Sequence, residues 1–182
     1  MVEPTVANVV GTINFQREIA LDALADTFSE RDEITEVIYE PGENHWLQTN
    51  FAPDNTYVAF YRSGKSSIAG GHSVAHFYEV AERVSIVVRD IIELECEIQI
   101  EPSNIVATWD TGSPIPLESL MIELGMTQTE YEPEQFPALI YRGDSCVILV
   151  FSSGKQICTG LSNLDDVGEA IESMIPRIQA VR

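Results

Sequence analysis

The feature that most constrains this chain is an internal repeat. Val6-Ala7-Asn8-Val9-Val10-Gly11-Thr12 is echoed by Ser103-Asn104-Ile105-Val106-Ala107-Thr108. Glu18-Ile19-Ala20-Leu21-Asp22-Ala23-Leu24 is echoed by Pro114-Ile115-Pro116-Leu117-Glu118-Ser119-Leu120. Tyr39-Glu40-Pro41 matches Tyr131-Glu132-Pro133, Phe60-Tyr61-Arg62-Ser63-Gly64-Lys65 matches Val150-Phe151-Ser152-Ser153-Gly154-Lys155, and Gly70 aligns with Gly160. Five landmarks in one order mark a tandem duplication. The offset is 96 at Asn8 and Asn104, 92 at Tyr39 and Tyr131, and 90 at Lys65 and Lys155. The first copy therefore carries extra residues, part of them in the charged, turn-like stretch from Ser29 to Thr35. The expected halves are residues 1–93 and 94–182.

A fold built this way must be two versions of one motif. Each copy opens with a strand, about Val6 to Ile13 and Ile105 to Trp109. An amphipathic helix follows, with Ile19, Leu21, Leu24 and Phe28 in the first copy and Leu117, Leu120, Met121 and Leu124 in the second. Short β-prone runs come next. In the second copy they are Leu139-Ile140-Tyr141, Cys146 to Phe151 and Gln156 to Thr159, with turns at Gly143-Asp144 and Ser153-Gly154-Lys155. A longer helix closes each copy: Val74, Phe77, Val80, Ala81, Val84, Val87 and Ile91 recur at helical spacing, as do Val167, Ala170, Ile171, Met174, Ile175 and Ile178. Ser162 or Asn163 can cap the last helix, and Pro176 can bend it.

The fold class is therefore α+β. The expectation is a continuous, curved, antiparallel ten-stranded sheet of two tandem pseudo-symmetric repeats, with four helices on its convex face. Helices then cover one face only, and the other is bare unless a partner covers it. Strand residues alternate faces. Val106, Leu149, Phe151, Ile157 and Thr159 fall on related faces, yet their neighbours Ile148, Val150 and Cys158 are apolar too. A strand apolar on both sides is either buried on both or waiting for a ligand.

Charge narrows the ligand. The 182 residues carry 29 acidic and 10 basic side chains, a net charge of −19. That weakens a nucleic-acid reading, because phosphates attract Lys and Arg. The acid is spread along the chain, a pattern that suits concentrated salt. There the Debye length falls to about 3 Å and local contacts decide. No apolar run is long enough for a transmembrane helix and no signal pattern opens the chain, so the expected location is the cytoplasm. Cys96, Cys146 and Cys158 form no CxxC pair and read as buried reduced thiols.

Asn-Ile-Val at 104–106, Tyr-Glu-Pro-Glu-x-Phe-Pro-x-Leu-Ile-Tyr-Arg at 131–142 and Val-Phe-x-Ser-Gly-Lys-x-x-x-Thr-Gly at 150–160 resemble the TATA-box-binding protein family in its archaeal form. The resemblance covers nearly the whole chain. It is specific in the second copy and faint in the first, and the acidity is similar to that of halophilic members. It implies a saddle whose concave face grips the minor groove of A·T-rich double-stranded DNA and bends it by about 80°. It further implies nucleoid association and recruitment of a transcription factor B homologue. Carried over by motif, Phe136 and Phe151 would be a wedge pair. Asn8 and Asn104 would donate to groove acceptors, with Val10 and Val106 beside them. Leu149, Ile157 and Thr159 would line the floor. Lys65, Arg142 and Lys155 would meet phosphates, and Glu132 and Glu134 would face factor B. A weak homodimer through the concave face is a further expectation. The chemistry is consistent: an A·T minor groove shows acceptors only, and a guanine N2 amine would clash.

The first copy departs from the pattern. Tyr61 stands at the second wedge position. The first wedge falls near Asn44, with His45 and Trp46 adjacent, and Trp46 or Phe51 would be surrogates if the strand slips. Asn50 replaces the motif arginine, Ala69 the threonine, and Ser67 an apolar floor residue. The competing reading is a divergent saddle that has weakened or lost DNA binding and serves as a protein-interaction module in transcription regulation.

Little else carries chemistry. His72 and His76 are four apart, but solvated helix residues explain them better than a metal. No catalytic motif, cofactor loop or metal signature is present, and no enzyme activity is expected.

Overall fold

The computed structural model describes residues 4–92 and 97–182. The first copy contains β1 (Thr5–Asn14), α1 (Leu21–Phe28), β2 (Ile34–Ile38), β3 (Trp46–Phe51), β4 (Thr56–Tyr61), β5 (Lys65–Gly71) and α2 (Val74–Ile92). The second contains β6 (Gln99–Asp110), α3 (Leu117–Leu124), β7 (Thr129–Glu130), β8 (Ala138–Arg142), β9 (Val147–Phe151), β10 (Lys155–Leu161) and α4 (Leu164–Ala180). Strand order is β2-β3-β4-β5-β1 in one copy and β6-β10-β9-β8-β7 in the other, all antiparallel. The expected ten strands and four helices are all present. Cys96 and the expected boundary at 93/94 lie outside the described residues.

Two compact units emerge, one of residues 8–103 and one joining residues up to Ala7 with 104–182. Each therefore includes the tip of the other copy's long first strand. In the first unit, Ser103 Oγ donates to Val10 O at 3.2 Å. In the second, Thr108 Oγ1 donates to Thr5 O at 3.4 Å.

Alternation sets the layering of each unit. In β1, Val9, Gly11 and Ile13 are buried while Asn8, Val10, Thr12 and Asn14 are half-buried. In β6, Ile105, Ala107 and Trp109 are buried while Asn104, Val106 and Thr108 are half-buried. The buried set packs on the helices, and the half-buried set forms an open face. α2 presents Phe77, Val80, Ala81, Val84 and Val88 inward, and α4 presents Val167, Ile171, Met174 and Ile178. The periodicity of both sequences requires these stripes. Asn163 caps α4, accepting from Asp166 N–H at 2.8 Å, and the helix continues through Pro176.

The two cores differ in kind. Phe15, Phe28, Phe51, Phe60 and Phe77 fill the first, with Phe28 edge-to-face on Phe51 and Phe60 at 6.0 and 5.2 Å between centroids. Aliphatic residues such as Ile105, Leu120, Leu139, Ile148 and Val150 fill the second. Each fully buried side chain of this size contributes ~1.5–3 kcal/mol of apolar burial. Gly11 permits a close approach: a Cβ there would stand 2.3 Å from Phe77 Cζ and 2.6 Å from Glu101 O.

The extra residues of the first copy fall in two places. Ser29 to Glu33 and a longer edge strand β2 follow α1. The β3–β4 hairpin is also one pair longer than β8–β9, closing on Phe51 opposite Thr56.

Candidate nucleic-acid interface

Strand register places the open-face residues in rows. In the second copy, Ile140, Leu149, Ile157 and Thr108 lie opposite one another across β8, β9, β10 and β6. Arg142, Val147 and Thr159 form the next row. Ala138 stands opposite Phe151. Phe136, from the turn before β8, meets the Phe151 ring edge to face, with centroids 6.3 Å apart. Phe136 is 40% exposed. Exposed aromatic carbon beside half-buried Leu149 and Ile157 is apolar surface that no described residue covers. A hollow of about 560 Å³ opens beside it, lined by Thr5, Thr108, Phe151, Lys155 and Ile157 among others.

The first copy has the same rows with other residues. Gln48, Ala59, Ser67 and Thr12 align across β3, β4, β5 and β1. Asn50, Tyr57, Ala69 and Val10 form the second row. Trp46 stands opposite Tyr61, where the second copy has Ala138 opposite Phe151. The strand has not slipped: Asn44 N–H bonds Glu40 O at 2.8 Å just as Phe136 N–H bonds Glu132 O at 2.9 Å. Asn44 thus holds the Phe136 position, and Trp46 lies one open-face step further on. The Phe51 surrogate is corrected. That ring is 1% exposed and packs on Phe28, because β3 alternation turns it to the helices. Burial pushes the Tyr57 phenol up, the Tyr61 phenol adds to the rise, and a Trp46 hydrogen bond offsets part of it.

One arrangement is common to both copies. Asn104 Oδ1 accepts Gly160 N–H at 2.7 Å and Thr159 Oγ1 at 3.1 Å. Asn8 Oδ1 accepts Gly70 N–H at 3.1 Å. Gly70 and Gly160 have φ of 103° and 101°, a conformation that L side chains resist, and both lie where the pairing register shifts. The carbonyl end of each amide is thereby fixed, and the NH₂ end is left to donate. Ala69 removes the hydroxyl half of this clasp from the first copy.

Charge at the margins is sparse. Lys65 and Lys155 are exposed at the starts of β5 and β10. Arg142 pairs with Glu130 at 3.2 Å, both more than half exposed. Asn50 donates to Glu36 at 2.6 Å. Glu132 and Glu134 are exposed on the turn leading into β8, with Gln135 hydrogen bonded to Glu132.

Of the residues singled out in the sequence, Asn8, Val10, Tyr61, Asn104, Val106, Leu149, Phe151, Ile157 and Thr159 fall on the open faces of their units. Sequence reasoning did not single out Gln48, Ile140 or the glycine clasp. The 92-residue offset relating Gln48 to Ile140 was the available signal for that pair. Contrary to the solvated position expected of it, His76 is buried and hydrogen bonds Asp54 at 3.0 Å, with the His72 ring 3.9 Å from its own. Among the described residues, no three His, Cys, Asp or Glu side chains gather to hold a metal ion.

The family model for Transcription factor TFIID (or TATA-binding protein, TBP) matches residues 3–91 and again 99–181. The chain belongs to this family. The TBP model thus matches twice, once per copy. The chain is 34% identical to TATA-box-binding protein 2 of Haloferax volcanii, over 97% of this chain and 93% of the relative. It is 28% identical to the TATA-box-binding protein of Thermoplasma acidophilum, over 97% and 95%. The solved Methanococcus jannaschii TBP superimposes with a TM-score of 0.77 at 29% identity, covering 98% of this chain and 99% of that one. The resemblance and the TBP fold expected from the sequence are therefore established, and the family is one of transcription factors.

Proposed function

We propose that the protein binds the minor groove of A·T-rich promoter DNA through its open strand faces, bends it, and presents the bent complex to a transcription factor B homologue for RNA polymerase. The observation that carries this reading is the second-copy face. A half-exposed Ile140–Leu149–Ile157 row is bounded by the Phe136–Phe151 pair and by an Asn104 amide whose oxygen is already engaged. Apolar floor, flat wedge and donor are what an A·T minor groove accepts. Acting on chromosomal DNA would place the protein in the cytoplasm, at the nucleoid. Lys65, Lys155 and Arg142 would contact phosphates, Arg142 after exchanging Glu130 for a phosphate oxygen. Glu132 and Glu134 would meet factor B.

The first-copy face supports DNA binding less fully. Trp46, Tyr61 and Val10 lie on it, with Lys65 exposed at the start of β5. The same face holds Ser67, and its arginine position holds Asn50 bound to Glu36. A saddle that has shifted to protein interaction is the second reading, and that acidic clasp favours it. Weaker binding than in a member with wedges in both halves follows, since a wedge acts at each kinked step. Gel-shift and bend-angle measurements on a TATA duplex in molar salt, with and without factor B, test the proposal. Binding that factor B strengthens supports it. No binding in either condition supports the interaction module.

A further inference from the structure

The two copies present different chemistry at one position of the face, and the difference concerns base identity. In the second copy the central row is Ile140–Leu149–Ile157. In the first it is Gln48–Ala59–Ser67. Ala59 is small and only 2% exposed, so Gln48 and Ser67 are the groups that meet a ligand there. Both are half-buried, and among the described residues neither side chain is hydrogen bonded within the chain. Asn50 in the adjacent row differs, its amide being donated to Glu36 at 2.6 Å.

A G·C pair differs from A·T in the minor groove by one group, the guanine N2 amine, which is a donor on the groove floor. Against Leu149 and Ile157 that donor would be desolvated with no acceptor, which is what makes an unpaired polar group costly. Against Gln48 Oε1 or Ser67 Oγ it has an acceptor. We infer that Gln48 and Ser67 are specificity-determining residues that let the first-copy half of the site accept a G·C pair, while the second-copy half stays restricted to A·T. This rests on the minor-groove reading above.

The experiment is a G·C scan. Each base pair of an A·T duplex is replaced in turn by G·C, and separately by inosine·C, which lacks the N2 amine. Affinities are measured in molar salt as ratios to the parent duplex. In one half, G·C is expected to cost tenfold or more, within the roughly 5- to 150-fold span of a mismatched pair, and inosine·C to remove that cost. In the other half, G·C should cost no more than about threefold, with no gain from inosine. The double variant Gln48→Ile with Ser67→Ile should restore the penalty in the tolerant half alone. Ile157→Ser should relieve it in the strict half alone, which assigns each half to its copy whichever way round the protein sits on the duplex. Equal penalties in both halves, or a tolerant half unmoved by the double variant, overturn the inference while leaving the DNA reading intact. If the parent A·T duplex is bound no better than a G·C-only duplex, the DNA reading itself fails and takes this one with it.

Discussion

Phe136 meets Phe151 edge to face, ring centroids 6.3 Å apart at an interplanar angle of 65°, so each ring props the other. Such pairs add about 0.5–1.5 kcal/mol beyond burial. Held this way, the rings are fixed in the free protein. Phe136→Ala or Phe151→Ala should therefore weaken TATA binding by ~1–3 kcal/mol and reduce the bend angle. Trp46→Ala should do less, because Asn44 and not an aromatic ring stands at the matching turn. Titrations followed by fluorescence energy transfer across the duplex report both quantities.

Replacing Asn104 separates donor from clasp. Asn104→Asp keeps an oxygen for Gly160 N–H but puts a carboxylate where the groove offers only acceptors. Its DNA affinity should fall further than that of Asn104→Ala, for which a loss of ~1–3 kcal/mol is expected. Gel-shift titration of both variants decides it. A milder loss for the carboxylate would mean that Asn104 does not face a base edge.

Gly11 tests the packing. A methyl group there would meet Phe77 Cζ at 2.3 Å and Glu101 O at 2.6 Å. Gly11→Ala should lower unfolding stability by ~1–3 kcal/mol, with the ring and strand forced to shift. Urea denaturation gives the number directly.

Burial pushes the Cys158 thiol up to about 12, and the neighbouring Cys146 thiol is raised too. An unfolded chain ionises these groups near 9, so it releases protons that the folded chain retains. Stability from Cys158 is thus complete below pH 9 and is lost as pH climbs toward 12. Cys158→Val should flatten the alkaline limb of a stability–pH profile. Thiol labelling of the native protein should reach half-buried Cys146 before buried Cys158.

A net charge of −19 predicts the salt response. Thermal midpoints should rise from low salt to molar KCl as self-repulsion is screened. A melting series at constant pH would show it.

Much of this architecture could be read from periodicity. The helix stripes of α2 and α4 and the turns around Gly143 and Gly154 follow from spacing and residue type. Wedge placement in the first copy could not, because the longer β3–β4 hairpin obscures which aromatic faces outward. Trp46 and Phe51 are five apart, so strand alternation puts them on opposite faces. The proximity of Cys146 to Cys158, and the reach of Asn8 to Gly70, depend on pairing across strands that no local pattern encodes. His76 reads as solvated from its neighbours alone, whereas Asp54 from the β3–β4 turn closes over it.

The oxygen of each asparagine is gripped by main chain rather than by a neighbouring side chain alone. Drift in the surrounding residues could therefore strip the first half of its grease, its threonine and its arginine without turning that amide away. An amide mounted on the backbone in this way keeps its aim while the residues around it are free to change.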